Sequence, residues 1–162
     1  IAVPSRGEIR EYEELRREVE GLVGRINGRF TERSHDVPVH YLLRGVPSEE
    51  LLAYYRLADA CLVTPLADGM NLVAKEFVAV QGATGGTGVL VLSEFAGAVE
   101  ELPEALACNP FDIEGLAGSI ALALELPPED RRRRIELMAA TVRRNDVFGW
   151  VRRELEALSC DV

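Results

Sequence analysis

No continuous apolar run in this chain approaches the roughly 20 residues that a membrane-spanning helix requires, so no such helix is expected. Basic residues are in the minority. Against 27 Asp and Glu stand 18 Lys and Arg, and a net charge of −9 repels the phosphates of a nucleic acid. Any phosphate contact must then be local, made by single basic residues and backbone N–H groups. Cysteine is scarce: Cys61, Cys108 and Cys160 are odd in number and far apart, which builds neither a disulfide framework nor a metal spacing and fits a reducing cytoplasm. Cys61 falls in an apolar run and reads as a small core residue, not a nucleophile. His35 and His40 have no partner at ligand spacing, so neither receives a metal or catalytic role and no metal is expected. A Gly-x-Gly-x-x-Gly after the first strand is also missing, which rejects a dinucleotide-binding domain. The start, Ile1-Ala2-Val3-Pro4, lacks an initiating Met and the regions of a signal peptide, and it begins inside a strand pattern. The chain is therefore expected to be a piece of a longer protein.

What is present is the material of one folded domain: 162 residues, 48% of them apolar, without low-complexity tracts. Strand and helix patterns alternate, which favours a parallel α/β sheet. Ile1–Val3 is a strand stub, and Glu8 to about Val23 is a helix with Ile9, Tyr12, Leu15, Val19 and Leu22 at helical spacing. The stretch Gly24 to Phe30 is expected to break that helix, and Val39–Leu43 to form the second strand. Ser48 is a candidate N-cap for a helix from Glu49 to about Ala58, with Glu49 and Glu50 at the positive end of its dipole. Ala60–Thr64 reads as the third strand, Asn71–Gln81 as a helix, Gly82–Gly88 as a slack loop and Val89–Leu92 as a strand buried on both faces. Beyond the junction Ser93–Ala98 come a short strand near Ala107, a helix Ile113–Leu126 capped by Asp112, a basic helix from Glu129 and a last amphipathic helix from Asn145-Asp146. No second domain is expected.

Three segments invite a functional reading. Gly82–Gly88 resembles a phosphate loop but lacks the Lys-Ser/Thr ending and precedes a strand. Arg131–Arg134 points in several directions on a helix and reads as a solvated face. Asp68-Gly69-Met70-Asn71-Leu72-Val73-Ala74-Lys75-Glu76 differs, because it joins a buried strand to a helix N-terminus, where backbone N–H groups meet phosphates. Two readings stand for it. A plain strand-to-helix turn explains Leu72, Val73, Phe77 and Val80 as residues packed on the sheet. It does not explain Asp68 before Gly69, nor Lys75-Glu76 in the first turns of an otherwise apolar helix; phosphate donors beside hydroxyl acceptors suggest a nucleotide-sugar site.

The run TPLADGMNLVAKEFVAVQ resembles the signature of the trehalose-6-phosphate synthases, the retaining glycosyltransferases of family 20 with the GT-B fold. PSRGEIREYEELRREVEGLVGRINGRF, YRLADACLVTPL and VLVLSEFAGAVEEL fit the same family in the same order, from Ile1 to about Leu158. The resemblance implies a three-layer Rossmann-like parallel sheet over residues 1–162, the C-terminal, donor-binding half of the enzyme. The N-terminal half, which holds most of the acceptor site, lies outside the chain, as do the Arg and Lys that grip the donor diphosphate. The C-terminal helix, 146–158, would be the one that crosses back to the N-terminal domain, leaving apolar surface around Phe148 and Trp150 exposed and favouring self-association as a homo-oligomer.

By the same resemblance Asp68 is the catalytic-site carboxylate that binds donor glucose hydroxyls. Gly69, Met70, Asn71, Leu72 and Val73 form the turn facing sugar and diphosphate, Ala74 and Lys75 belong to the donor-binding stretch, and Glu76 accepts the ribose hydroxyls. Arg6 matches an arginine that reaches the acceptor's phosphate. Val46 stands where many members place an aromatic beside the base, with Leu51 as a further wall of that pocket. Ala67 replaces a common Arg, and Thr31–Asp36 departs from the family's loop. The implied reaction transfers glucose from a nucleoside diphosphate glucose to glucose-6-phosphate, without metal or cofactor, in the cytoplasm. UDP-glucose is the foremost donor, with GDP- or ADP-glucose as alternatives. The chain alone is expected to be inactive. Alternatives are a same-family synthase with another acceptor (glucosylglycerol-phosphate synthase or a pseudoglycosyltransferase) and a non-catalytic nucleotide-sugar-binding module.

Overall fold

The computed structural model describes Ala2 and residues 10–31 and 37–159. The chain divides into two compact units, 1–51 and 52–162, with the boundary inside helix α2.

In the first unit, helix α1 spans Arg10–Phe30 and runs straight through the glycines expected to break it. Each Gly costs a helix about 1 kcal/mol relative to Ala, but Val23, Ile26 and Phe30 continue the apolar stripe, and three i,i+4 ion pairs line the polar side. Asn27, inside the expected break, makes a two-point clamp: its amide donates to the Val39 carbonyl at 2.9 Å and its oxygen accepts the Val39 N–H at 3.0 Å. That clamp replaces sheet pairing at Val39, so the expected strand Val39–Leu43 is reduced to one parallel bridge between Leu43 and Ala2. Helix α2, Ser48–Leu57, begins at Ser48 itself, one residue before expectation.

The second unit holds a parallel three-stranded sheet in the order β1 (Ala60–Val63), β2 (Val89–Ser93), β3 (Leu106–Cys108). Every residue of the central strand is buried, as its unbroken apolar run requires. Val89 and Val91 pack with Cys108 and with Ala123 and Leu116 of α5 (Ile113–Glu125). The pleat turns Leu90 and Leu92 to the other face, where α3 (Leu72–Thr84) and α6 (Pro128–Arg144) meet the sheet and each other. Phe77, Ile135 and Met138 are fully buried there, each contributing roughly 1.5–3 kcal/mol of apolar transfer. Helix, sheet, helix is the three-layer architecture expected.

Helix α3 continues past Gln81 through Gly82 and stops at Gly85, whose φ of 66° ends it in the left-handed conformation. The expected slack loop therefore shrinks to residues 85–88. Buried Gln81 closes the gap: its amide donates to the Tyr55 carbonyl at 2.6 Å and its oxygen accepts the Gly88 N–H at 2.9 Å. Short α4 (Ala98–Glu101) follows β2, and α7 (Val147–Ser159) is the last helix described. In the described chain Phe148 and Trp150 are 76% and 48% exposed. The arginine run is only partly solvated: Arg131 Nε donates to the Leu126 carbonyl at 3.0 Å, at the end of α5, and Arg134 donates to the Glu104 carbonyl at 2.6 Å. No helix described is long and apolar enough to cross a membrane.

Candidate functional site

Parallel strands end on one edge of the sheet, and the connections leaving β1 and β2 are stitched together there. The Asp68 N–H donates to the Phe95 carbonyl at 3.1 Å, the Gly97 N–H to the Asp68 carbonyl at 2.9 Å, and the Ala98 N–H to the Met70 carbonyl at 2.8 Å. Buried Ser93, the last residue of β2, fixes both loops: its hydroxyl donates to the Pro65 carbonyl at 2.8 Å and accepts the Phe95 N–H at 3.1 Å. Only a residue without Cβ fits at Gly97, since a Cβ there would lie 2.2 Å from the Gly69 carbonyl oxygen.

On this double loop stands a relay of polar groups. Asp68 Oδ1 accepts the Met70 N–H at 3.0 Å, and Oδ2 accepts the Asn71 side-chain amide at 2.9 Å. Asn71 Oδ1 in turn accepts the Ala74 N–H at 3.1 Å and so N-caps α3. Asn71 holds φ at 78°, the one positive φ of a non-glycine residue among those described. Such a backbone is costly and is kept where surrounding contacts over-determine it, as the grip of Asp68 does here. The Met70 N–H and then the Asn71 amide hold the Asp68 carboxyl below the usual carboxylate range, so it is ionised at neutral pH. Each carboxylate oxygen keeps a lone pair for a hydroxyl donor.

Leu72 and Val73 open the helix and are 63% and 45% exposed, so they do not pack on the sheet as a plain turn would have them. Their N–H groups belong to the first turn, which has no intrahelical carbonyl to bond, and the helix dipole favours an anion at that end. Gly69 and Met70 are exposed beside them. Ala74 is fully buried and its N–H is taken by the cap. Lys75 is also engaged: Nζ meets Glu101 Oε1 at 2.7 Å with its side chain 16% exposed, and Glu101 Oε2 accepts the Asn145 amide at 2.9 Å. The lysine thus ties α3 to α4 and the end of α6. Glu76 is exposed one turn along, with Oε2 accepting the Tyr55 hydroxyl at 3.1 Å. Half-buried Val46 and Leu51 lie in the 1–51 unit, and Arg6 lies outside the described residues.

Cys61 on β1 has its thiol pushed up to about 11 by burial, and burial raises the Cys108 thiol too, so neither is a thiolate at neutral pH. Among the described residues no group of three or more His, Cys, Asp or Glu is placed to hold a metal ion. Sequence reasoning gave Tyr55, Gln81, Ser93 and Gly97 no roles of their own, although all four fall inside the blocks YRLADACLVTPL, TPLADGMNLVAKEFVAVQ and VLVLSEFAGAVEEL.

A parallel α/β unit with a carboxylate and an open helix N-terminus at the carboxyl edge of its strands defines a class: domains that hold a phosphorylated ligand bearing hydroxyls. The particular family follows from comparison. The chain belongs to glycosyltransferase family 20, whose sequence profile matches residues 1–159. It is 47% identical over 159 residues to the trehalose-6-phosphate synthase of Mycobacterium sp. (strain KMS), covering 98% of this chain and 32% of that protein. The Mycobacterium leprae (strain TN) trehalose-6-phosphate synthase is 48% identical, with 98% of this chain and 31% of that protein covered. Among solved structures, the α,α-trehalose-phosphate synthase (UDP-forming) of Burkholderia xenovorans in complex with glucose-6-phosphate superposes with a TM-score of 0.91 at 43% identity, over 98% of this chain and 35% of that one. An E. coli structure bound with UDP-2-fluoro glucose superposes with a TM-score of 0.89 at 40% identity, over 95% of this chain and 34% of that one. The chain thus spans about a third of the length of the relatives it matches, and its three-layer sheet is that of the GT-B trehalose-phosphate synthases.

Proposed function

We propose that this chain is the donor-binding part of a trehalose-6-phosphate synthase, transferring glucose from UDP-glucose to glucose-6-phosphate with retained anomeric configuration. The observation that carries this reading is the Asp68–Asn71–Ala74 relay at the open end of α3, in a chain of this family. Relatives at about this similarity include a UDP-forming synthase bound to glucose-6-phosphate and a structure bound with UDP-2-fluoro glucose.

In the proposed arrangement Asp68 accepts hydrogen bonds from the glucose hydroxyls, its charge kept by the amides that surround it. The backbone from Gly69 to Val73 meets the diphosphate, whose charge grows as the glycosidic bond breaks; fixed N–H donors favour that developing charge most. Glu76 accepts the ribose hydroxyls. Lys75 belongs to the donor-binding stretch and is held by Glu101 on α4. The roles of Val46 and Leu51 beside the base, and of Arg6 at the acceptor phosphate, rest on the family resemblance alone. Holding donor and acceptor in one orientation supplies the remaining rate enhancement, without metal or cofactor and in the cytoplasm. The chain alone binds donor and does not turn it over.

Titration calorimetry of the chain with UDP-, GDP- and ADP-glucose tests this. The expected result is tightest binding of UDP-glucose, and Asp68→Ala should weaken it about a hundredfold, as loss of hydrogen bonds to a charged group implies. UDP itself, which lacks the glucose, should lose less than about tenfold, what remains being the looser turn. Failure to bind any of the three donors would favour the non-catalytic module.

A further inference from the structure

Glu76 is an exposed carboxylate on the outer side of α3, and such a side chain ordinarily samples several rotamers. Here it does not stand alone. The Tyr55 hydroxyl donates to Glu76 Oε2 at 3.1 Å. Tyr55 is itself fixed from three directions. It is only 8% exposed, its ring meets Phe77 edge-on with centroids 6.2 Å apart, and its carbonyl accepts the buried Gln81 amide at 2.6 Å. Gln81 in turn holds the Gly88 N–H at the entrance to β2. A chain of contacts therefore runs from the central strand through Gln81 and Tyr55 to a single carboxylate oxygen, leaving Oε1 of Glu76 open.

We propose that Tyr55 is a positioning residue that holds Glu76 in the orientation needed to accept a ribose diol, and so sets the preference of this site for ribose over deoxyribose nucleoside diphosphates. The inference rests on Glu76 being the ribose acceptor. A vicinal diol offers two donors at fixed separation, and a carboxylate meets both only when its plane is fixed. Tyr55 fixes it by binding one oxygen from the side opposite solvent. The hydroxyl is pushed up to about 12, by burial first and by the Glu76 carboxylate second, so it remains a donor throughout the physiological range.

Calorimetric affinities of the chain for UDP and for its 2′,3′-dideoxyribose analogue test the proposal, in the wild type and in Tyr55→Phe, Glu76→Gln and the double variant. Phe keeps the contact with Phe77 and removes only the hydroxyl. Tyr55→Phe should weaken UDP by roughly five- to tenfold while leaving the dideoxy analogue unchanged, the loss expected for a hydrogen bond to a charged group. In the Glu76→Gln background the same change should do nothing further, which also isolates the pair if either single variant is less stable. Equal weakening of both nucleotides, with a lower melting temperature, would mean a structural role and overturn the proposal. If Tyr55→Phe keeps the full ribose preference while Glu76→Gln abolishes it, Tyr55 is not the positioning residue and the ribose role of Glu76 stands. If the wild type has no ribose preference, or Glu76→Gln retains it, the ribose role itself fails and Tyr55's with it.

Discussion

Two 13-residue helices leave the carboxyl ends of parallel strands in this chain, α3 after β1 and α5 after β3, and each starts on an Asx residue that accepts the N–H three positions on. The resemblance ends there. Asp112, the cap of α5, sits at φ −97° in ordinary extended backbone, accepts the Gly115 N–H at 3.0 Å, and draws otherwise on Asn109 in its own turn. Asn71, the cap of α3, sits at φ 78°, has its amide held by Asp68, and belongs to a loop hydrogen-bonded to a second loop 25 or more residues away. One helix needs only to begin. The other begins under strain, with its charged partner and open first turn turned toward solvent. Strain sustained by long-range contacts at one cap, and absent at the other, is what sets the proposed donor site apart from an ordinary helix start.

The most severe way to break this contrast is Gly97→Ala, because the added methyl would lie 2.2 Å from the Gly69 oxygen and 2.9 Å from its carbonyl carbon. Both are backbone atoms that cannot rotate away. The double loop must open, and we expect a loss of about 3 kcal/mol in urea unfolding together with loss of nucleotide binding. A loss below about 1 kcal/mol would mean that the two loops are not rigidly joined.

Next in size are the caps themselves. Asp112→Ala removes a single hydrogen bond and should cost about 1 kcal/mol. Asn71→Ala removes the equivalent bond and also leaves a Cβ residue at positive φ without side-chain support, so about 2 kcal/mol is expected. Asn71→Gly should cost only a few tenths, since Gly is a tolerable cap and accepts the backbone. Equal losses for the two alanine variants would show that the φ of 78° carries no strain.

How far the sequence discloses such a difference depends on the range of the interaction. Asn71 was placed inside the helix it caps, whereas the cap Asp112 was readable, because an Asx before an apolar helix is a local signal. The buried central strand was readable from Val89–Leu92 for the same reason. Asp68 before Gly69, and Lys75-Glu76 in an otherwise apolar helix, suggested a site because they stand together at one strand-to-helix junction. Gly24 and Gly28 misled, since a local penalty was outweighed by an apolar stripe continuing to Phe30. Gly82 misled likewise, α3 ending only at Gly85. Contacts between distant residues left no trace: Tyr55 with Glu76, Gln81 with Tyr55, Ser93 with Pro65, and Lys75 with Glu101 join positions 21 to 28 apart. No periodicity encodes them. The partner of Lys75, 26 positions away on α4, is invisible to any local pattern.

The smallest effect sharpens the same contrast within the helices. Gly118 lies in α5, and a Cβ built there meets nothing within 4 Å. Gly82 lies in α3, and its Cβ would stand 2.4 Å from the Ala139 Cβ of α6. In α5 the glycine is slack: alanine lowers the entropy of the unfolded chain and exposes less backbone, so Gly118→Ala should stabilise by about 0.5–1 kcal/mol. In α3 the same change must push two packed helices apart, and its sign should reverse. Thermal and urea unfolding of both variants measure this directly. If both were stabilising, α3 and α6 would have room to move and the packing behind the candidate site would be looser than the α3–α6 contact implies.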